Sequence, residues 1–89
     1  MPTIAQRLDT LRGSFLVRDS AQATALCDTI LVEATSLLAT APPPKRAILQ
    51  DVISEMGHWK EHLPLMADDD QWNNLLGLWA VLKAQVRNL

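Results

Sequence analysis

The sequence is poor in the features that mark several functional classes. Its single cysteine, Cys27, excludes an internal disulfide framework. Its three glycines stand alone at positions 13, 57 and 77, so no glycine-rich phosphate-binding loop is present. Lys and Arg number 8 against 10 Asp and Glu, which leaves a formal net charge of −2. A charge this small creates no global field that would attract nucleic acid or anionic lipid.

Long apolar runs are also missing. None reaches the ~20 residues that a membrane span requires, and the N-terminal "MPTIAQRLDT" lacks the apolar segment of a secretory signal. We therefore expect no membrane partner and a location in the reducing cytoplasm. With 48% apolar and 20% charged residues in a chain of 89, the composition predicts one globular domain over residues 1–89.

The sequence does contain helical periodicity with clear interruptions. Apolar residues recur at spacings of three and four, and no strand-like alternation is present. Pro42–Pro44 and Pro64 interrupt this pattern, because proline lacks the amide donor that a continuing helix needs. The pattern predicts an all-α fold, a small antiparallel four-helix bundle. Its helices are expected over residues of about 3–17, 20–40, 44–62 and 70–88.

Polar residues at the predicted helix starts support these boundaries. Thr3 and Gln6 have the spacing of a capping box. Asp19 or Ser20 can cap the second helix, and the acidic triplet at 68–70 precedes the fourth helix, whose positive dipole end it complements.

One stretch of the third predicted helix resembles a metal site. His58, Glu61 and His62 form H-x-x-E-H, a zinc-peptidase spelling in which the histidines bind zinc and the glutamate is the general base. Such a site needs a third protein ligand, and no Asp, Glu, His or Cys follows Asp70. We therefore interpret both histidines as surface residues and expect no enzyme, no metal and no cofactor. Metal binding or phosphotransfer centred on His58 and His62 is the alternative.

The second and fourth predicted helices carry more apolar residues than one buried stripe needs. Exposed apolar surface often marks a contact with another protein, and tryptophan is enriched at the centres of such contacts. The residues predicted for this interface are Val32, Leu38, Trp72, Leu78 and Val81.

These observations favour a non-enzymatic protein–protein interaction module, such as an adaptor, a chaperone-like protein or a small inhibitor or regulator. It would dock through an apolar helix face onto another protein, or onto a second copy as a homodimer. A nucleic-acid-associated regulator is a second alternative. It is disfavoured because the third predicted helix has as many acidic as basic residues and no basic recognition helix is present.

Overall fold

Four helices account for most of the chain. A computed structural model describes residues 3–89, so residues 1 and 2 of the predicted domain lie outside the described residues. A short 3₁₀ turn, Leu63–Leu65, precedes the last helix. The α-helices are α1 (Ile4–Leu16), α2 (Ser20–Leu38), α3 (Pro43–His62) and α4 (Asp69–Val86). The predicted all-α four-helix fold is confirmed. Within the described residues, no helix combines the length and the apolar character needed to cross a membrane.

Side-chain caps fix three of the four helix starts. At α1, the Gln6 backbone N–H donates to Thr3 Oγ1 (3.2 Å) and the Thr3 N–H donates to Gln6 Oε1 (2.9 Å), which confirms the predicted capping box. Asp19 caps α2 through its carboxylate. At α4, Asp68 and Gln71 form a second capping box. Each cap satisfies amides that the first helical turn leaves without partners.

Prolines set both ends of α3. The helix begins at Pro43, one residue before the predicted start, because both Pro43 and Pro44 fit into a first turn whose amides need no helical partner. It ends at His62, as Pro64 predicts, and Leu63 in the following turn is buried. After this turn the chain reverses direction, and α4 runs back beside α3.

The helices are arranged in a ring in which each contacts its neighbours in sequence, and α4 closes back onto α1. The α2–α3 interface is the most extensive and the α3–α4 interface is the sparsest. Among the described residues, no backbone contact joins α2 to α4 or α1 to α3, so these pairs lie on the diagonals and meet only through core side chains. Neighbouring helices are antiparallel, as predicted from their short connections.

An aromatic cluster lies at the centre of the core. Phe15 is fully buried at the end of α1, where its ring centroid is 5.9 Å from that of Trp59 on α3 and 6.1 Å from that of Trp72 on α4. The Phe15 and Trp59 rings meet edge to face, an arrangement that adds to the stabilisation from burial. One side chain thus connects three of the four helices.

The two tryptophans of α4 have different surroundings. Trp72, predicted for the docking interface, is buried, because the first turn of α4 packs against Phe15. Trp79 lies at the margin between α4 and α1. There its indole N–H donates to the Leu8 carbonyl oxygen (2.6 Å), and the Arg12 guanidinium is 5.7 Å from its ring centroid.

Candidate docking groove between α3 and α4

Ion pairs connect the helices on three sides of the ring. Three of the four pairs join neighbouring helices directly, and in the fourth Arg18 lies just after the end of α1, so the set shows which interfaces have charged side chains across them. The pairs are Arg7–Glu33 between α1 and α2, Lys60–Asp28 (2.7 Å) between α3 and α2, and Lys83–Asp9 (2.6 Å) and Arg18–Asp69 (2.6 Å) on the α1–α4 side. Among residues 3–89, no ion pair joins α3 to α4.

The fourth side of the ring contains a groove between α3 and α4, which we name the α3–α4 groove. It has two sections, with volumes of about 200 and 240 Å³, that share Leu78. The first section lies beside the 3₁₀ turn, and its walls include Trp59, His62, Leu65, Met66 and Leu78. The second lies towards the end of α4, and its walls are Asp51, Glu55, Leu78, Val81, Leu82 and Gln85.

Three large apolar side chains of this groove are exposed. Leu65 is 74% exposed, Val81 62% and Leu78 46%. Single exposed apolar residues are ordinary on protein surfaces. Here the three lie along one groove, at the helix interface that has the fewest contacts. The groove therefore places three exposed apolar side chains on one surface.

Helical spacing explains why these walls are continuous. On α4, the residues lining the groove follow one another at spacings of three and four, from Gln71 through Leu78 and Val81 to Gln85. On α3, Asp51 and Glu55 are four residues apart, and His62 follows seven residues later on the same face. In its second section, the groove thus has Leu78, Val81 and Leu82 of α4 opposite Asp51 and Glu55 of α3.

The structure separates the five predicted interface residues. Leu78 and Val81 lie together in the α3–α4 groove. Val32 is 64% exposed, but it lies on α2, diagonally across the bundle. Leu38 is half-buried because it packs against the core. The five residues therefore do not lie on one surface of the described chain, and Trp72, at 5% exposure, belongs to the core.

The predicted interface also omitted the residues that complete the groove. Leu65 follows Pro64, so the helical stripe of α3 does not include it, and only the 3₁₀ turn brings it beside Leu78. Asp51 and Glu55 had a detectable signal, since their spacing of four residues places them on one helix face. Their position opposite Val81 depends on how α3 and α4 pack, which the spacing does not specify.

His58 and His62 lie on the exposed surface of α3, one helical turn apart. His62 lines the groove beside Leu65 and Met66. Within residues 3–89, no three His, Cys, Asp or Glu side chains are grouped so that they could hold a metal ion. Lys60, two residues after His58, has its ammonium group 2.7 Å from Asp28 on α2.

Cys27 is fully buried in the α2 stripe. Burial raises the pKa of its thiol from 9.0 to about 12, because the interior disfavours the thiolate, and the opposing effect of nearby Lys60 is smaller. Cys27 is therefore a small core residue, since a thiol that keeps its proton is a poor nucleophile.

The raised pKa of Cys27 predicts a loss of stability at high pH. The unfolded chain releases the thiol proton near pH 9, whereas the folded protein retains it until its pKa of about 12. The free energy of unfolding should therefore fall as pH rises above 9, by about 1 kcal/mol at pH 10 from this group alone. Urea unfolding at pH 8 and pH 10 measures the loss. Between these two pH values the free energy of unfolding of the Cys27→Ala variant should fall by correspondingly less. An equal fall in the wild-type protein and the variant would contradict the prediction.

Comparison with known proteins assigns this fold and groove to no family. No model of a known protein family matches the chain, and no curated protein or solved structure matches it either.

Proposed function

We propose that this protein is a non-enzymatic protein–protein interaction module that docks through the α3–α4 groove. The observation that supports the proposal is the difference between the four sides of the helix ring. Three sides have ion pairs across them, whereas the fourth has the sparsest helix contacts and exposes Leu65, Leu78 and Val81. Burying these side chains against a partner would contribute roughly 25 cal/mol for each Å² of apolar surface removed from water.

The groove has dimensions that suit a helical or extended segment. Its wall on α4 extends from Gln71 to Gln85, which corresponds to about 21 Å at the rise of an α-helix. Grooves between two helices are a recurrent docking place for amphipathic helices, which insert side chains spaced three and four residues apart. Docking of this kind requires no catalytic group in the groove.

A site-specific cross-linking experiment tests this function. A photoreactive amino acid is placed at position 81 in the groove, or at position 32 on α2 as the matched control. Both positions are occupied by exposed valines of nearly equal accessibility, 62% and 64%. We expect discrete protein adducts in cells from position 81 only, because only that valine lies in the groove. Excess unlabelled wild-type protein should suppress these adducts, whereas excess Val81→Lys protein should not.

Each alternative has its own outcome. Equal adducts from both positions, or none from position 81, would reject the groove as the docking face. An adduct of twice the chain mass would identify the partner as a second copy. If adducts at position 81 disappear on addition of a metal chelator and in the His58→Ala variant, the metal-binding alternative centred on His58 and His62 replaces this proposal.

A further inference from the structure

The two walls of the α3–α4 groove carry charge of only one sign. Asp51 and Glu55 project into its second section, opposite Val81 and Gln85. No Lys or Arg lines either section of the groove. In the described part of the chain, neither carboxylate has an ion-pair partner, although four other acidic side chains do. The groove therefore combines an apolar strip with an uncompensated negative edge.

The charge is confined to one end of the groove. The first section, beside the 3₁₀ turn, is lined by Leu65, Met66 and Leu78 together with uncharged polar side chains and His62. The acids line the second section only. An occupant that matches this surface has an apolar stripe along about four helical turns, the length of the groove, with cations beside the stripe at the end that faces the acids.

A second copy of the chain does not match this surface. If two copies met through their grooves, each would bring an apolar strip, Asp51 and Glu55, and no groove-lining cation. In a two-fold interface the same patch is used on both sides. Whichever way the two copies are oriented, neither groove supplies a Lys or Arg to pair with Asp51 and Glu55 of the other, so the acids would remain uncompensated.

Resting on the proposed docking function, we infer that the occupant of the α3–α4 groove is a basic amphipathic helix of another protein. Its apolar stripe contacts Leu65, Leu78 and Val81, and its Lys or Arg side chains pair with Asp51 and Glu55. The apolar strip supplies affinity through burial. The acids select the sign of the partner's charge and its direction along the groove, since electrostatic complementarity determines specificity more than affinity.

Two synthetic helices test the inference. Each peptide has about 15 residues, a side-chain staple that holds it helical, and leucines at i, i+4, i+7 and i+11. The two peptides differ only at one end, where lysines flank the leucines in the first and glutamates flank them in the second. Fluorescence anisotropy at low ionic strength measures binding to the full chain. We expect the lysine peptide to bind about tenfold more tightly than the glutamate peptide, which corresponds to two exposed charge pairs. The preference should shrink in high salt because exposed charges are screened.

Charge-reversed variants separate groove recognition from attraction by net charge. Asp51→Lys with Glu55→Lys should reverse the preference to the glutamate peptide. Glu61→Lys with Asp70→Lys makes the same change in net charge at exposed positions that do not line the groove. This variant should still prefer the lysine peptide. Val81→Lys should lower the affinity for the lysine peptide at least tenfold, whereas Val32→Lys should leave that affinity unchanged. Circular dichroism confirms that each variant remains helical.

Several results would overturn the basic-helix occupant. These are equal binding of both peptides, preference for the glutamate peptide, equal reversal in the two charge-reversed variants, or binding of neither peptide. None of these results rejects the groove as the docking face, because the cross-linking result at position 81 decides that question. If position 81 forms adducts but the peptides show no charge preference, the groove docks a partner of another chemistry and this inference alone fails. If position 81 forms none, the proposed function fails with it.

Discussion

Replacing Phe15 by alanine should lower the free energy of unfolding by about 4 kcal/mol. Phe15 is fully buried, and its ring contacts Trp59 on α3 and Trp72 on α4, so truncation removes packing from three helices at once. A domain of this size has a total stability of about 5–15 kcal/mol, and the variant should therefore be close to unfolding. Urea unfolding followed by tryptophan fluorescence measures the change, because two of the three tryptophans lie beside the deleted ring.

The neighbouring residue provides the control. Leu16 is 49% exposed, so Leu16→Ala removes a leucine of the same helical turn without opening the core. We expect this variant to lose no more than about 1 kcal/mol. If Phe15→Ala and Leu16→Ala cost the same, the aromatic cluster is not the centre of the core.

Replacing Lys83 by glutamate should lower the free energy of unfolding by about 2 kcal/mol, through the α1–α4 interface. The Lys83 side chain is only 15% exposed, and its ammonium group donates to Asp9 (2.6 Å) and to the Ala5 carbonyl oxygen (3.1 Å). Hydrogen bonds to a partly buried charge contribute more than exposed ion pairs do. A carboxylate at position 83 could donate a hydrogen bond to neither oxygen, and it would face Asp9, which has the same charge.

A double-mutant cycle isolates this contact. Adding Asp9→Lys to Lys83→Glu restores opposite charges and should recover part of the loss, although the bond to the Ala5 carbonyl stays broken. Lys45→Glu makes the same charge change in the exposed first turn of α3 and should alter the stability by less than about 0.5 kcal/mol. Equal costs at positions 83 and 45 would show that net charge, and not the α1–α4 contact, determines the effect.

Local signals in the sequence were sufficient to predict the helices. Caps at Thr3 and Asp68 and prolines at helix ends act within a few residues, so they specify boundaries without reference to the rest of the fold. Local signals for Trp72 pointed in two directions. Its spacing from Leu75 and Leu82 favoured burial, whereas its nearness to a helix start favoured exposure. The outcome depends on Phe15, which covers it and lies 57 positions earlier in the chain.

The candidate site was predicted only in part, for the same physical reason. Leu78 and Val81 are visible as apolar residues outside the buried stripe of α4, because both features follow from one helical period. The other half of the groove comes from Asp51, Glu55 and Leu65. Which helix lies beside which is decided by the packing of the whole bundle, and Val32 shows the consequence: it shares the exposure of Val81 but lies on a diagonal helix.

The unequal helix interfaces also have a consequence for the order of folding. The α2–α3 interface is the most extensive and joins helices that are adjacent in sequence, so its loop-closure entropy is small. The α1–α4 interface joins residues 51 to 78 positions apart, such as Arg18 with Asp69 and Ala5 with Lys83, and its closure must await the last helix. During synthesis, the α2–α3 hairpin can form once residue 62 has left the ribosome. The apolar stripe of α1 stays half covered until α4 arrives.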